Sequence, residues 1–406
     1  MLNNSEPDTV TMTPTRPPCE VADIFRLYGT EYQQQYPLSN EQRQVMRDIV
    51  QCRTAALGGH VDACDQCGGL RISYNSCRNR HCPKCGSVVK AEWLERQKAH
   101  LLPVHYFHVI FTIDHAFLPL VRVNQKAVYE LLFHSAADTL KAFGRRFLGG
   151  EMGILSILHS WGQTLTEHPH LHCLVTGGAL SADGRRWRAT SPDFLFPIEA
   201  LSAQFRDRFC RGLEKMYGQG RVQLGGQSAH LTEPARFERL LSQARGKKWQ
   251  VYAKPPFGDA MQVLDYLGRY TQRIAISNHR IQDIADGRVR FSYRDYQADG
   301  QRKEMVLTAV EFIRRFLLHV LPRNFVRIRY YGLLAPRYRQ RKLAQCRAIL
   351  PAMPAPAPKL SRTEILTAML GRHPDRCPMC GTGQLQPHET IPPHPSRQRW
   401  IQVVFG

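Results

Sequence analysis

The sequence predicts an α+β protein, an antiparallel sheet with flanking helices preceded by a small zinc-binding module. Three observations predict it. Residues 52–85 hold a dense set of ligand types: Cys52, His60, Cys64, Cys67, Cys77, His81, Cys82 and Cys85. The run Glu167–Val175 places His168, His170 and His172 at spacing two, the side-chain period of a strand. Around it, strand-like and helix-like runs follow in the order strand, helix, hairpin, which is the pattern of a sheet with helices packed on it.

The chain has 406 residues, enough for two or three domains, and 43% of them are hydrophobic. Lys and Arg number 55 against 34 acidic residues, a net charge of +21. The excess is spread along the chain and dominated by Arg, which favours a long surface for a polyanion. An anionic membrane surface is the competing partner. No apolar run reaches transmembrane length, and Met1–Glu6 lacks the character of a signal peptide, so a cytoplasmic protein with no membrane partner is expected. In a reducing compartment, the Cys-x-x-Cys pairs among the 12 cysteines point to metal rather than disulfides.

Residues 1–20 are polar and Pro-rich, a disordered lead. Two helices follow to about Val50, split by Pro37–Asn40, with Ser39 or Asn40 capping the second. In the ligand-dense segment, Cys64-x-x-Cys67 and Cys82-x-x-Cys85 have the spacing of one tetrahedral zinc site. Cys52, His60, Cys77 and His81 would complete a second set of four. Arg78, Arg80 and Lys84 lie on the same loops and suit phosphate contacts. A helix from Val88 to Leu102 turns Trp93 and Leu94 inward. Val104–Ile113 reads as a buried strand that includes His108. Asn124–Leu148 is an amphipathic helix, and Gly153–Trp161 a strand leading into the histidine strand.

On that strand, His168, His170 and His172 share one face, and Leu171, Cys173 and Val175 the other. Imidazoles at this spacing are a ready set of metal ligands. His-x-His pairs occur in hydrolases, cupins and nickases alike, so the rest of the chain must decide. Residues 180–255 are mostly helical, an insertion ending in a strand at Trp249–Lys254. Residues 259–273 form a helix on which Tyr266 and Tyr270, like Arg269 and Arg273, are four apart on one face. Two packed tyrosines give the same spacing; a nucleophilic tyrosine needs a metal or base to activate its phenol. Strands at Ile274–Ser277 and Val289–Arg294 flank an Asp286-Gly287 hairpin turn. Thr308–Val320 is a helix. Arg323–Arg341 interleaves aromatics with arginines, Arg327 and Arg329 among them, a mixture suited to phosphates and stacked bases. Pro351–Pro358 is a stiff linker. Beyond it, Cys377 and Cys380 are half a zinc site that His373, His388 or His394 would complete.

The chain resembles the IS ninety-one family of transposases, rolling-circle enzymes of the HUH class. The likeness rests on Cys77–Cys85 (CRNRHCPKC), His168–His172 (HPHLH), Tyr266–Tyr270 (YLGRY), Ala275–Asn278 and Tyr330–Leu334, and covers roughly residues 20–345. It implies an HUH endonuclease-type sheet at residues 101–345 and a helical and zinc-binding domain at 21–100; the linker and C-terminal zinc knuckle expected at 346–406 lie beyond the likeness. It also implies that His170 and His172 hold Mg²⁺ or Mn²⁺ with a third ligand, His168, Gln163 or His108. Tyr266 and Tyr270 would cleave single-stranded DNA at element ends and target through a 5′-phosphotyrosine. Zinc would be structural and ATP unneeded, in keeping with the lack of a Walker A motif. Such a protein would sit at the bacterial nucleoid. The alternatives are a plasmid replication initiator or relaxase with the same chemistry, a non-enzymatic zinc-finger DNA-binding protein, and a zinc hydrolase built on the three histidines.

Overall fold

The computed structural model describes residues 17–254, 262, 268, 275–295, 298–351 and 359–394. Its centre is a five-stranded antiparallel sheet. In chain order the strands are β3 (Tyr106–Thr112), β5 (Gly153–Trp161), β6 (Glu167–Thr176), β9 (Val251–Lys254) and β13 (Ile328–Gly332). They lie side by side as β13-β5-β6-β3-β9. The register pairs Ile157 with His172 and His159 with His170 across β5 and β6, and Ile110 with His172 across β3 and β6. Because side chains alternate along a strand, the two faces differ in content.

One face carries Phe107, Val109 and Phe111 with Ile154, Leu158, Leu171, Cys173 and Val175. These are buried beneath helices α5 (Gln125–Leu148), α6 (Ile198–Gly218) and α7 (Pro234–Gly246). The expected helical insertion at 180–255 is therefore a layer of the main core. The Phe205, Phe209 and Trp249 side chains interlock there with Phe111 and Phe117 at centroid distances of 4.9–5.9 Å. The short helix α4 (Leu118–Val123) leads into α5, and a small sheet of β4 (Gly150–Glu151), β7 (Gly178–Ser181) and β8 (Trp187–Ala189) follows its end.

The opposite face carries Tyr106, Leu155, Ile157 and Leu174 at one end. They pack on Trp93 of α3 (Gly86–Lys98), on Leu101 and Leu102, and on Leu343 of α9 (Arg339–Ile349). The histidines occupy its other end. The expected helix over Val88–Leu102 is thus shorter at its C-terminal end than the sequence suggested. It places Trp93 inward as expected.

A second core joins α1 (Val21–Gln35), α2 (Asn40–Gln51) and α8 (Ala309–Leu318) to the sheet β10 (Ile281–Ala285), β11 (Arg288–Asp295) and β12 (Gln301–Thr308). Ser39 caps α2 by accepting from the Gln42 amide, and Gln42 reciprocates, a capping box. Asp286 and Gly287 have φ of 50° and 70°, the left-handed pair that a two-residue hairpin turn requires. Residues 275–277 are not a strand, contrary to expectation; the strand begins at Ile281. Ile274 itself lies outside the described residues.

A third sheet holds β1 (Gly59–Cys64) between β2 (Leu70–Tyr74) and β14 (Leu385–Ile391). The C-terminal segment, expected as a knuckle of its own, is the third strand of the N-terminal module. Among the described residues no helix is long and apolar enough to cross a membrane.

Candidate metal centre

Three imidazoles converge where β5 and β6 run side by side. His159, His170 and His172 each offer a ring nitrogen, all within 4.8 Å of one another, and all three side chains are buried. The Nε2 atoms of His170 and His172 stand 3.0 Å apart, so their lone pairs point at one small volume. Their other nitrogens are already committed. His170 Nδ1–H donates to the His168 carbonyl at 2.5 Å, and His172 Nδ1 lies 2.8 Å from His108 Nε2. Since a carbonyl only accepts, the His170 proton sits on Nδ1 and Nε2 is left as a ligand. His159 stacks on Trp161 at 4.7 Å and 18°, which fixes its ring plane. Burial, with help from neighbouring imidazoles, pushes His170 down to about 3 and His172 well below the ordinary histidine range. The rings are therefore neutral at pH 7, the state a metal ligand needs.

The sequence offers His168, Gln163 and His108 as candidates for the third position; the residue whose ring converges with His170 and His172 is His159. His168 turns instead to His115, 3.0 Å between Nδ1 and Nε2, at the end of the strand. Its backbone carbonyl, not its ring, serves the centre. His108 lies one ring behind His172, stacked on it at 5.0 Å and 9°. Gln163 lies in the turn between β5 and β6, where its backbone carbonyl accepts from Arg280. Nothing in the period of β6 alone can find His159, because it enters through cross-strand register. The tight β5–β6 hairpin was the signal available.

Tyr266, Tyr270, Arg269 and Arg273 lie outside the described residues. Gly268, between the tyrosines, is described: it is helical and buried. A Cβ on it would stand 2.9 Å from both Leu94 methyls and 3.1 Å from Lys90 Cε. Gly268 thus lies against α3, the helix that covers the histidine face of the sheet.

The cysteines form two groups of four, and neither is the expected one. Cys52, Cys77, Cys82 and Cys85 come together, as do Cys64, Cys67, Cys377 and Cys380. The expected grouping of Cys64 and Cys67 with Cys82 and Cys85 fails because β1 and β2 carry the two Cys-x-x-Cys turns apart. His60 is half-exposed on β1, 3.6 Å from Asp62. His81 is buried with both nitrogens in use, Nδ1 at 3.0 Å from Asn79 Oδ1 and Nε2 accepting from the Leu321 amide at 3.1 Å. Burial, then the nearby Arg80 and Arg327 charges, push it down to about 3. Neither histidine joins a cysteine group.

Four ligands about 2.3 Å from a zinc ion at tetrahedral angles stand about 3.8 Å apart. Within the first group, Cys52–Cys85 and Cys77–Cys85 sulfurs are 3.3 and 3.6 Å apart; in the second, Cys64–Cys380 and Cys67–Cys377 are 3.7 and 3.8 Å. These separations fit a shared ion and are far too long for disulfides. In the first group, hydrogen bonds from Cys52, Cys77 and Cys82 hold the Cys85 thiol low. Its neighbours Cys52, Cys82 and Cys85 hold Cys77 high. The four cannot ionise together without a cation between them.

The expected DNA-contacting cations divide by burial. Arg80 donates to the Phe325 and Pro322 carbonyls, and Lys84 pairs with Glu20, so both brace the cysteine loop. Arg327 is 7% exposed and pushed down to about 10 by burial, with Arg80 beside it. Arg329 pairs with Ser156, so it projects from the face opposite the histidines and lies over Phe133 at 4.3 Å. Those four do not present free charge to a ligand at the histidine centre. Arg78 is exposed and lines a groove of about 880 Å³ with Arg43, Arg47, Arg323 and Asn324. Sequence reasoning missed Arg43 and Arg47, which belong to α2, because the groove forms only when α2 packs beside the Arg78 loop and the segment that begins the Arg323–Arg341 stretch.

Residues 153–342 match a family described as "Putative transposase", and residues 24–113 match a transposase zinc-binding domain. A protein of Sinorhizobium fredii named "Putative transposase y4qJ" is 51% identical over 90% of this chain and 94% of its own length. The transposase for insertion sequence element IS801 of Pseudomonas savastanoi pv. phaseolicola is 30% identical over 82% of this chain and 80% of its own. Among solved structures, the metal-bound complex of conjugative relaxase TrwC with oriT DNA matches 41% of this chain and 70% of that one. The identity there is 15% and the TM-score 0.22. Taken with the two long relatives, the zinc-binding and transposase matches in this order place the chain in the IS ninety-one family of insertion-sequence transposases.

Proposed function

We propose that this transposase cuts and rejoins single-stranded DNA through a 5′-phosphotyrosine, in rolling-circle fashion, with His159, His170 and His172 as the ligands of a catalytic cation. The observation that carries the proposal is the convergence of three buried imidazoles on one point of a strongly basic protein. Binding DNA has no use for such a point; phosphoryl transfer does. A divalent cation held there, Mg²⁺ or Mn²⁺, would polarise the scissile phosphate and stabilise charge developing on its oxygens.

The protein's own groups do the rest. His168 O and His108 hold the His170 and His172 rings in the tautomer and plane that present Nε2. One of Tyr266 and Tyr270 supplies the nucleophile. Its phenol oxygen attacks phosphorus as it loses its proton, the P–O3′ bond breaks, and the departing 3′-oxygen gains a proton. The new P–O bond to tyrosine conserves the energy of the one broken, so rejoining by a 3′-hydroxyl needs no ATP. The second tyrosine cuts a second strand before the first is released, which lets donor and target ends exchange. Imidazole donors favour Mn²⁺ over the oxygen-seeking Mg²⁺, so Mn²⁺ is expected to support cleavage at the lower concentration.

The groove lined by Arg43, Arg47, Arg78 and Arg323 is the proposed track for the DNA backbone leading to the centre. Zinc in the Cys52, Cys77, Cys82 and Cys85 group fixes the loop that carries Arg78. The test is cleavage of a labelled single-stranded oligonucleotide. His159→Ala, His170→Ala and His172→Ala are each expected to abolish nicking while DNA binding persists. Nicking at full rate by these variants, or by wild type in excess chelator, contradicts the assignment.

A further inference from the structure

We infer that Cys64, Cys67, Cys377 and Cys380 form a second zinc site, a metal clasp that closes the C-terminal segment onto the N-terminal module. Two of its ligands, Cys377 and Cys380, lie beyond both matched families, which end at residues 113 and 342. The site is therefore not contained in the zinc-binding domain that the N-terminal match describes.

The sulfurs come from two similar turns brought face to face. In the first, the Gln66 amide points at Cys64 Sγ at 3.4 Å; in the second, the Met379 amide points at Cys377 Sγ at 3.4 Å and the Gly383 amide at Cys380 Sγ at 3.3 Å. Amides aimed at sulfur stabilise thiolates and orient them, as a thiolate metal site requires. The cross-turn separations, 3.7 Å for Cys64–Cys380 and 3.8 Å for Cys67–Cys377, are the edges of a tetrahedron around zinc. Gly383 closes the arrangement. A Cβ there would stand 2.4 Å from Cys64 Sγ and 2.8 Å from Asp65 Oδ1, so no side chain fits without displacing a ligand.

A reciprocal pair of hydrogen bonds joins the turns to one another. The Gln384 amide donates to Asp65 Oδ1 at 2.8 Å and the Asp65 amide to the Gln384 carbonyl at 3.0 Å. From there β14 pairs with β1 over Cys64–Gly59. Upstream of Cys377, helix α10 (Arg362–Leu370) lies on α3, with Arg362 paired to Glu92 at 2.6 Å. The ion thus ties residue 64 to residue 380 and holds the C-terminal segment across the outer side of α3. The inner side of α3 covers the histidine face of the sheet and meets Gly268. The exposed β14 strand has one buried residue, Leu385, and little apolar area to hold it in place without the metal.

The experiment measures zinc content and protease sensitivity on the purified full-length chain. Wild type is expected to hold two zinc ions per chain. Cys377→Ser with Cys380→Ser should hold one, and trypsin should then remove the segment after about residue 359 while the rest resists. Cys64→Ser with Cys67→Ser should give the same stoichiometry and the same cleavage, because the two pairs serve one ion. Gly383→Ala should weaken the second zinc at least tenfold against a chelator while leaving the first unchanged. Two zinc ions in the Cys377/Cys380 variant, or a C-terminal segment as resistant as in wild type, would overturn the clasp. So would loss of one zinc from one cysteine pair and not from the other. None of these readouts depends on DNA cleavage, so the clasp and the nicking proposal stand or fall separately.

Discussion

His108 sits behind His172 and touches no ligand position. Its Nε2 lies 2.8 Å from His172 Nδ1, and the two rings are parallel. With His108 as acceptor, His172 would carry its proton on Nδ1 and offer Nε2 to the proposed cation, which would make His108 a positioning residue. Removing such a partner costs roughly 10–100-fold in metal affinity. His108→Ala is expected to weaken Mn²⁺ binding by at least ~10-fold, read by Mn²⁺ titration followed by electron paramagnetic resonance. His108→Gln, which keeps an acceptor, should recover most of it. Equal losses in both variants would mean that His108 only fills space.

His319 tests burial at the same scale. It is fully enclosed, its Nε2–H donates to the Leu165 carbonyl at 3.1 Å, and burial pushes it down to about 4. The unfolded chain keeps it near 6.5 and so binds the proton that the folded chain refuses between pH 6.5 and 4. Stability therefore rises with pH through that window and is lost as pH falls through it, by about 1.4 kcal/mol per pH unit for one proton. His319→Gln should lower the slope of unfolding free energy against pH by about one proton, measured by denaturant titration at several pH values. An unchanged slope would show that His319 titrates normally in the folded protein.

At the scale of elements, β6 was legible in the sequence and its partner's contribution was not. A period of two announces which residues of a strand share a face. It says nothing of what the neighbouring strand places beside them. His170 and His172 were found that way, and His159 was missed. His168 was included by the same period and excluded by its position at the strand end, where His115 offers a partner. The cysteines repeat the lesson. Their spacing announces turns whose sulfurs can cluster, but which turn faces which depends on β14 crossing to β1, a pairing between segments more than 300 residues apart. Capping at Ser39 and the Asp286-Gly287 turn were legible because both are local chemistry. Arg327 is buried and Arg329 lies over Phe133 and Phe325, placements that the alternation of aromatics and arginines does not reveal.

At the scale of the whole molecule, the net charge of +21 becomes directional only where guanidinium groups are not spent on an ion pair or on bracing a distant segment. Arg80 and Lys84 are spent on carbonyls and Glu20, while Arg43, Arg47, Arg78 and Arg323 border the groove. Each phosphate that a cationic side chain neutralises steepens the fall of log affinity with log salt by about 0.7 for single strands. Arg78→Ala and Arg323→Ala should each weaken DNA binding and flatten that slope by roughly this amount. Arg329→Ala should leave the slope unchanged. A slope unaffected by Arg78→Ala and Arg323→Ala together would place the DNA elsewhere.

The covalent step is the centre of the proposed chemistry, and one measurement addresses it directly. Wild-type protein is incubated with a single-stranded oligonucleotide labelled on the 3′ side of the cut, with Mn²⁺, and resolved on a denaturing gel. A labelled protein–DNA adduct is expected that needs the cation and is absent from Tyr266→Phe with Tyr270→Phe. That double variant should still bind DNA and retain its zinc, because only two hydroxyls have been removed. Each single variant should still form an adduct through the remaining tyrosine. An adduct of wild-type intensity in the double variant would contradict the two-tyrosine mechanism and place the nucleophile elsewhere in the chain.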